Sequence, residues 1–155
     1  MKIKWKTLFF SIALPIFIGI LASLISRESM AMFDMIIKPK LSPPGWLFPV
    51  VWTILYILMG ISSYLVFTSL SYENINSAIK FYGIQLIFNF FWTIWFFNFQ
   101  LYWFSFFWLL ILWGGILITI FKFYKISKPA AYLMLPYLIW VTFAGYLNFS
   151  IAILN

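Results

Sequence analysis

The chain has 155 residues, of which 65% are hydrophobic and only 8% are charged, and its formal net charge is +7. A water-soluble domain of this length would expose too much of that apolar surface, so the composition predicts an integral membrane protein. The basic residues lie between and beside the apolar runs, which indicates membrane topology and lipid head-group contacts and excludes nucleic acid as a partner. Cysteine and histidine are both absent, which excludes disulfides and thiolate chemistry and removes the commonest metal ligand. We therefore expect no metal site and no cofactor.

The apolar runs are too long and too continuous for the strands of a β-barrel, so the membrane spans are predicted to be helices. The chain begins M-K-I-K-W-K and is then apolar from Leu8 to Ile25. With Trp5–Thr7 included, this run reaches spanning length, so we interpret it as a retained first helix, with a signal peptide as the alternative. Pro15 is expected to bend the helix and to leave the Ser11 carbonyl unpaired by the backbone.

A connection over residues 27–43 follows the first helix. It holds two of the three acidic residues, and its middle, Met30–Ile37, is apolar and compatible with a helix. A connection of this length in a compact bundle is more often a cover than a turn. Ser42 as N-cap and Pro43 as the first helical residue predict an abrupt start of the second helix. The second span is predicted over about 44–68.

Three further spans complete an all-α, polytopic bundle of five transmembrane helices, which we predict to be a single domain over 1–155. The third and fourth spans are expected at about 78–97 and 101–124. Only N-F-Q separates them, so these helices should be antiparallel neighbours. The fifth is expected at about 129–154. Most of the ten Lys and Arg residues fall on the side of the N-terminus, which predicts that the N-terminus is inside. The C-terminus and the loop between the first two helices are then outside.

No acid, arginine or histidine lies in the middle of any predicted span. Because ion-coupled carriers keep acids, arginines or histidines at depth, active ion transport is disfavoured. In the third span Gln85 and Asn89 share one helical face with Trp92 or Thr93. Hydrogen bonding between helices is the simpler interpretation of these amides, and cavity lining is the alternative.

Two other spans carry a proline and a tryptophan on one face, with small or polar residues beside them. In the fifth span the face is Pro136, Trp140, Ala144 and Asn148, and in the second it is Pro49, Trp52, Tyr56 and Gly60. These faces predict a cavity with aromatic walls for a flat, largely apolar ligand. Lys38 and Lys40 at its rim are expected to meet carboxylates of that ligand.

Three segments carry a resemblance to a known family. They are K-P-K-L-S-P-P-G-W-L-F-P-V-V-W-T-I-L-Y from Lys38, Q-L-I-F-N-F-F-W-T-I-W-F-F from Gln85 and L-P-Y-L-I-W-V-T-F-A-G-Y-L-N from Leu135. They closely resemble the signature segments of the tryptophan-rich sensory protein family (TspO/MBR), whose eukaryotic members are the translocator proteins. The resemblance implies five transmembrane helices, a pocket open toward the first loop, and binding of porphyrins such as protoporphyrin IX. Members of the family are often homodimers, but the third span here shows no evident motif of small residues for close helix packing. We expect the chain to reside in a bacterial cell membrane.

The patterns and the resemblance together give the candidate ligand-binding residues. They are Phe33, Pro44, Trp52, Tyr56, Gln85, Asn89, Trp92, Trp140 and Ala144. Phe33 stands where the family often has tyrosine, and Leu41 stands where it has tryptophan, so a hydroxyl and an aromatic ring are missing. Cholesterol is not predicted as a ligand, because no basic residue follows Tyr146.

The leading hypothesis is a membrane receptor or sensor that binds a porphyrin, with a role in the response to tetrapyrrole stress. One alternative is an enzyme that degrades the porphyrin with light and oxygen, for which the redox-capable Trp52 and Trp140 are the only catalytic candidates. The other alternative is a passive tetrapyrrole carrier.

Overall fold

Five α-helices make up most of the computed structural model, which describes residues 2–155. They are α1 (Trp5–Met30), α2 (Leu47–Phe67), α3 (Ile75–Thr93), α4 (Tyr102–Ile126) and α5 (Lys128–Leu154). A short 3-10 helix, Ala31–Met35, continues α1, and a π-helical turn, Ile94–Asn98, continues α3. The predicted all-α fold with five helices is confirmed.

Four helices, α1, α2, α4 and α5, are long and apolar enough to cross a membrane. The 19-residue α3 is more polar because it carries Lys80, Gln85 and Asn89. Gln85 and Asn89 are each only 1% exposed, so both amides face the other helices. Polar groups inside a membrane are tolerated in this position, and α3 therefore completes the bundle of an integral membrane protein.

The helices form a closed ring. α1 packs against α2 and α3, α5 packs against α2 and α4, and α3 packs against α4. At the α3–α4 contact the rings of Phe88 and Trp108 stack with centroids 4.4 Å apart, and farther from the turn Tyr82 stacks on Phe123 at 5.8 Å. Later residues of α3 contact earlier residues of α4, so α3 and α4 are antiparallel neighbours, as predicted.

α2 begins later than the sequence predicts. The helix starts at Leu47, and no side chain caps its first turn. The Ser42 hydroxyl is buried without a hydrogen-bond partner, so the prediction of Ser42 as N-cap was wrong. The backbone N–H of Ser42 instead donates to the Pro39 carbonyl at 3.0 Å. Residues that precede a proline are disfavoured in helical conformation, and Ser42 and Pro43 both do, which delays the helix.

α1 and α2 make their closest approach at Gly60. A Cβ atom there would lie 2.4 Å from the Ile12 Cα and 2.8 Å from the Ser11 carbonyl oxygen. Pro15 has no N–H with which to bind that carbonyl, so the backbone of α1 is bare on the side that faces Gly60. Gly60 thus sets the distance between the two helices.

We expect Gly60→Ala to destabilise the fold by about 1–3 kcal/mol, because the added methyl overlaps the backbone of α1. Thermal unfolding in detergent measures the effect. Gly114→Ala in α4 is the matched control, since a Cβ at Gly114 meets nothing within 4 Å. Equal losses of stability in the two variants would show that α1 and α2 do not depend on this contact.

Candidate functional site

A cavity of about 430 Å³ lies at the end of the bundle that carries the α1–α2 connection. Its walls come from the C-terminal half of α1, the N-terminal half of α2, the end of α3 with its π-helical turn, and the C-terminal half of α5. Sites for small molecules in proteins usually have volumes of about 300–1,000 Å³. This cavity is therefore large enough for a cofactor-sized ligand.

The cavity brings together about half of the residues predicted from the sequence. Those that line it are Phe33, Trp52, Tyr56, Trp92 and Ala144. Pro44, Gln85, Asn89 and Trp140 lie outside its lining. The roles of all these residues toward a ligand stay predictions. The structure places the four that lie outside the lining in other surroundings.

Two stacked aromatic pairs form much of the wall. Trp52 and Tyr56 on α2 stack with ring centroids 5.5 Å apart and an interplanar angle of 28°. Trp92 on α3 stacks on Phe96 in the π-helical turn at 5.5 Å and 27°. Both pairs present large, rigid, apolar surface, which favours a flat conjugated ligand.

A chain of hydrogen bonds lies directly beneath the cavity. The Tyr56 hydroxyl donates to Asn89 Oδ1 at 3.1 Å, and Asn89 Nδ2 donates to the Tyr137 hydroxyl oxygen at 2.8 Å. The Tyr137 hydroxyl in turn donates to Gln85 Oε1 at 2.8 Å. These side chains, which we call the polar floor, are all buried and join α2, α3 and α5. Gln85 and Asn89 are therefore interhelical contacts, which is the simpler of the two sequence interpretations.

A second buried amide holds the Trp92 side of the wall. The Trp92 indole N–H donates to Asn148 Oδ1 at 3.0 Å, and the Ser105 hydroxyl donates to the same oxygen at 3.1 Å. Asn148 Nδ2 donates to the Tyr102 carbonyl at 2.8 Å. Asn148 on α5 is thus hydrogen-bonded to both α3 and α4, and these bonds fix the orientation of the Trp92 ring.

Trp140 lies behind the wall rather than in it. Its ring contacts Phe48 at a centroid distance of 5.9 Å and Phe143 at 5.5 Å, and its buried indole N–H has no partner. Trp52, on the proline-marked face of α2, contacts Tyr56 and Tyr137. A four-residue step overshoots one helical turn by about 40°, so the predicted face of α5 drifts around the helix.

The α1–α2 connection covers the cavity. Phe33 contacts Phe48 and Phe97, each at a centroid distance of 5.8 Å. The Lys38 ammonium donates to the Phe33 carbonyl at 2.7 Å and lies 4.6 Å from the centroid of the same ring. Lys38 and the exposed Lys40 are not among the lining residues, so neither occupies the position toward a ligand that the sequence suggested.

Sequence reasoning missed the wall supplied by α1. Gly19, Ala22 and Ser23 line the cavity there. A Cβ at Gly19 would lie 2.3 Å from Tyr56 Cε2, so this glycine admits the Tyr56 ring. Small residues spaced three and four apart in an otherwise bulky helix were the available signal. The wall aromatics Phe48, Phe96 and Phe97 carried no such signal, since phenylalanine is common throughout the chain.

Comparison with known proteins gives a consistent result. A model of the TspO/MBR family matches residues 11–154. The chain is 41% identical to the tryptophan-rich protein TspO of Chlorobaculum tepidum over 124 residues, which cover 79% of this chain and 78% of that protein. It is 36% identical to a tryptophan-rich sensory protein of Cereibacter sphaeroides over 79% of this chain and 76% of that protein. It is 32% identical to a translocator protein of Bos taurus over 88% and 82% of the two chains.

We expect Asn89→Leu to cost about 1–3 kcal/mol of stability, because it leaves the buried Tyr56 hydroxyl without its acceptor and removes the donor to the Tyr137 hydroxyl oxygen. The midpoint of thermal unfolding in detergent should fall accordingly. Asn76→Leu, at an exposed position in the first turn of α3, is the control and should change the midpoint little. An unchanged midpoint in Asn89→Leu would mean that the polar floor does not hold the helices together.

Proposed function

The chain belongs to the TspO/MBR family, and from this premise we propose that it is a membrane receptor or sensor for porphyrin-like tetrapyrroles. The proposed ligand occupies the cavity beneath the α1–α2 connection. The observation that carries the proposal is the pair of aromatic stacks, Trp52–Tyr56 and Trp92–Phe96, on separate walls of one cavity. Two of the relatives bear names that include "sensory" or "translocator", which suits a protein that binds a ligand.

A tetrapyrrole suits these walls because its ring system is flat, wide and conjugated. Offset or edge-on contact with aromatic rings contributes about 0.5–1.5 kcal/mol per pair beyond the burial of area. A few polar groups are also available to orient the ligand, namely the hydroxyls of Thr53 and Thr93 and the side chain of Asn148. Because the polar floor closes the cavity on one side, the proposed ligand lies toward the end of the bundle that carries the α1–α2 connection.

The orientation in the membrane follows from charge. Most basic residues lie at the end of the bundle opposite the cavity, near the N-terminus, in the first half of α3 and where α4 meets α5. The positive-inside rule assigns that end to the inner side of the membrane. In this proposal the cavity and its cover therefore face outward.

Photo-oxidative degradation of the bound porphyrin is the second candidate function. It is favoured by the position of Trp52, an oxidisable indole that lines the cavity and stacks on Tyr56. Trp140 is separated from the cavity by Phe48, so Trp52 is the stronger candidate of the two. Passive carriage across the bilayer is disfavoured by the same geometry, because the packed polar floor blocks a path through the bundle.

We expect Trp52→Ala to weaken binding of protoporphyrin IX about tenfold or more, since it removes half of one aromatic stack. The dissociation constant is measured by titration in nonionic detergent, followed by porphyrin absorbance. Trp5→Ala is the matched control, because Trp5 is 70% exposed at the opposite end of the bundle. Saturable binding that is equally strong in both variants would exclude this cavity as the site.

Illumination of the porphyrin complex in air tests the second candidate. If Trp52 takes part, the porphyrin bands should decay several-fold faster in the native protein than in Trp52→Phe at equal occupancy. Equal decay rates in the native protein and in Trp52→Phe would mean that Trp52 does not catalyse degradation of the bound porphyrin. The Trp140→Phe variant serves as comparison and should decay at the native rate, because that ring lies behind Phe48.

A further inference from the structure

Asp34 is the single charged residue among the lining residues of the cavity within 2–155. Asp34 lies in the 3-10 helix that continues α1, immediately after Phe33, and it is exposed to solvent. The other lining residues are apolar or neutral. Any charge preference of the site therefore depends mainly on this one group.

The basic residues near Asp34 in the chain do not line the cavity. The Lys38 ammonium is bound to the Phe33 carbonyl and to the face of the Phe33 ring. Arg27 and Lys40 are exposed to solvent and outside the lining, as is the acid Glu28. Asp34 is therefore the charged residue that a ligand in the cavity would adjoin, and the basic residues of this region lie outside the lining.

Apolar walls make this charge more effective. Two unit charges interact several times more strongly near a protein surface than in bulk water, because the effective dielectric constant is lower. A ligand carboxylate near Asp34 is repelled, and it also loses hydration on entering the aromatic cavity. A neutral group avoids both penalties, and a cationic group gains attraction.

We propose that Asp34 is a specificity-determining residue, which makes the site prefer flat apolar ligands with a neutral or cationic group at the connection end over ligands with a carboxylate there. The proposal rests on the proposed function for the identity of the ring system. It reverses the expectation that the mouth of the cavity receives ligand carboxylates. Esterified or amidated tetrapyrroles are then better ligands than the free dicarboxylic acids.

Three porphyrins with one ring system test the proposal. They are protoporphyrin IX, its uncharged dimethyl ester, and a bis-amide that carries trimethylammonium groups. In the native protein, affinity should rise in that order. In Asp34→Asn the ratio of the dissociation constants of free acid and cationic amide should fall about threefold to tenfold, and more at low salt than at high salt.

Glu28→Gln removes an equal charge from the last turn of α1, outside the cavity lining, and it should leave the ratio unchanged. A merely structural role of Asp34 would change all three affinities together and would not depend on salt. The proposal is overturned if the ratio in Asp34→Asn equals the native ratio, or if Glu28→Gln lowers it as much.

A second probe pair separates this proposal from the choice of porphyrin as ligand. Pyrenebutyrate and pyrenebutyl-trimethylammonium share a flat ring and differ in charge, and quenching of tryptophan fluorescence reports their binding. The cation should bind more tightly than the anion to the native protein, and Asp34→Asn should reduce that difference. If no porphyrin binds saturably but the pyrene pair behaves in this way, the proposed function fails and the role of Asp34 stands. If porphyrins bind and neither series responds to Asp34→Asn, the proposed function stands and the role of Asp34 fails.

Discussion

Pairing of buried polar groups is the constraint on which this bundle depends. Within a membrane, water does not solvate an unpaired amide or hydroxyl in the core, so burying such a group without a protein partner costs free energy. Tyr56, Asn89, Tyr137 and Gln85 satisfy one another in a chain that crosses three helices. Alternative rotations of α3 would leave two amides facing lipid. The polar floor therefore fixes the rotation of α3, and with it the wall that Trp92 forms above.

The cavity exists because small residues stand opposite large ones. Gly60 brings α1 against α2, and Gly19 then makes room for the Tyr56 ring at the base of the cavity. Ala22 and Ala144 leave space where bulkier side chains would meet the aromatic stacks. Close helix packing and open volume thus arise from the same choice of residue size. The position of each small residue decides whether it allows close helix packing or leaves open volume.

The sequence was sufficient to predict the number of helices, the antiparallel α3–α4 pair and the inward direction of Gln85 and Asn89, because these depend on local hydrophobicity and on the cost of burying amides. It was insufficient for Trp140, since a small rotational drift along α5 moves that ring from the wall to a position behind Phe48. It also missed the wall from α1. Which helices adjoin α1 is a property of tertiary packing, and the chain order alone does not determine the ring α1–α2–α5–α4–α3.

The two ends of the cavity differ in how firmly they are closed. The floor is a buried network, in which breaking one bond strands its partner at a cost of about 1–3 kcal/mol. The cover is held to the helices at partly exposed positions, by the Phe33 ring against Phe97 and by the Asn155 side chain, which bonds both the N–H and the carbonyl of Ile37. Groups released there are solvated at once, so opening the cover costs less than opening the floor. In our proposal a ligand therefore enters and leaves past Asp34, and the charge of that residue acts on the path as well as on the bound state.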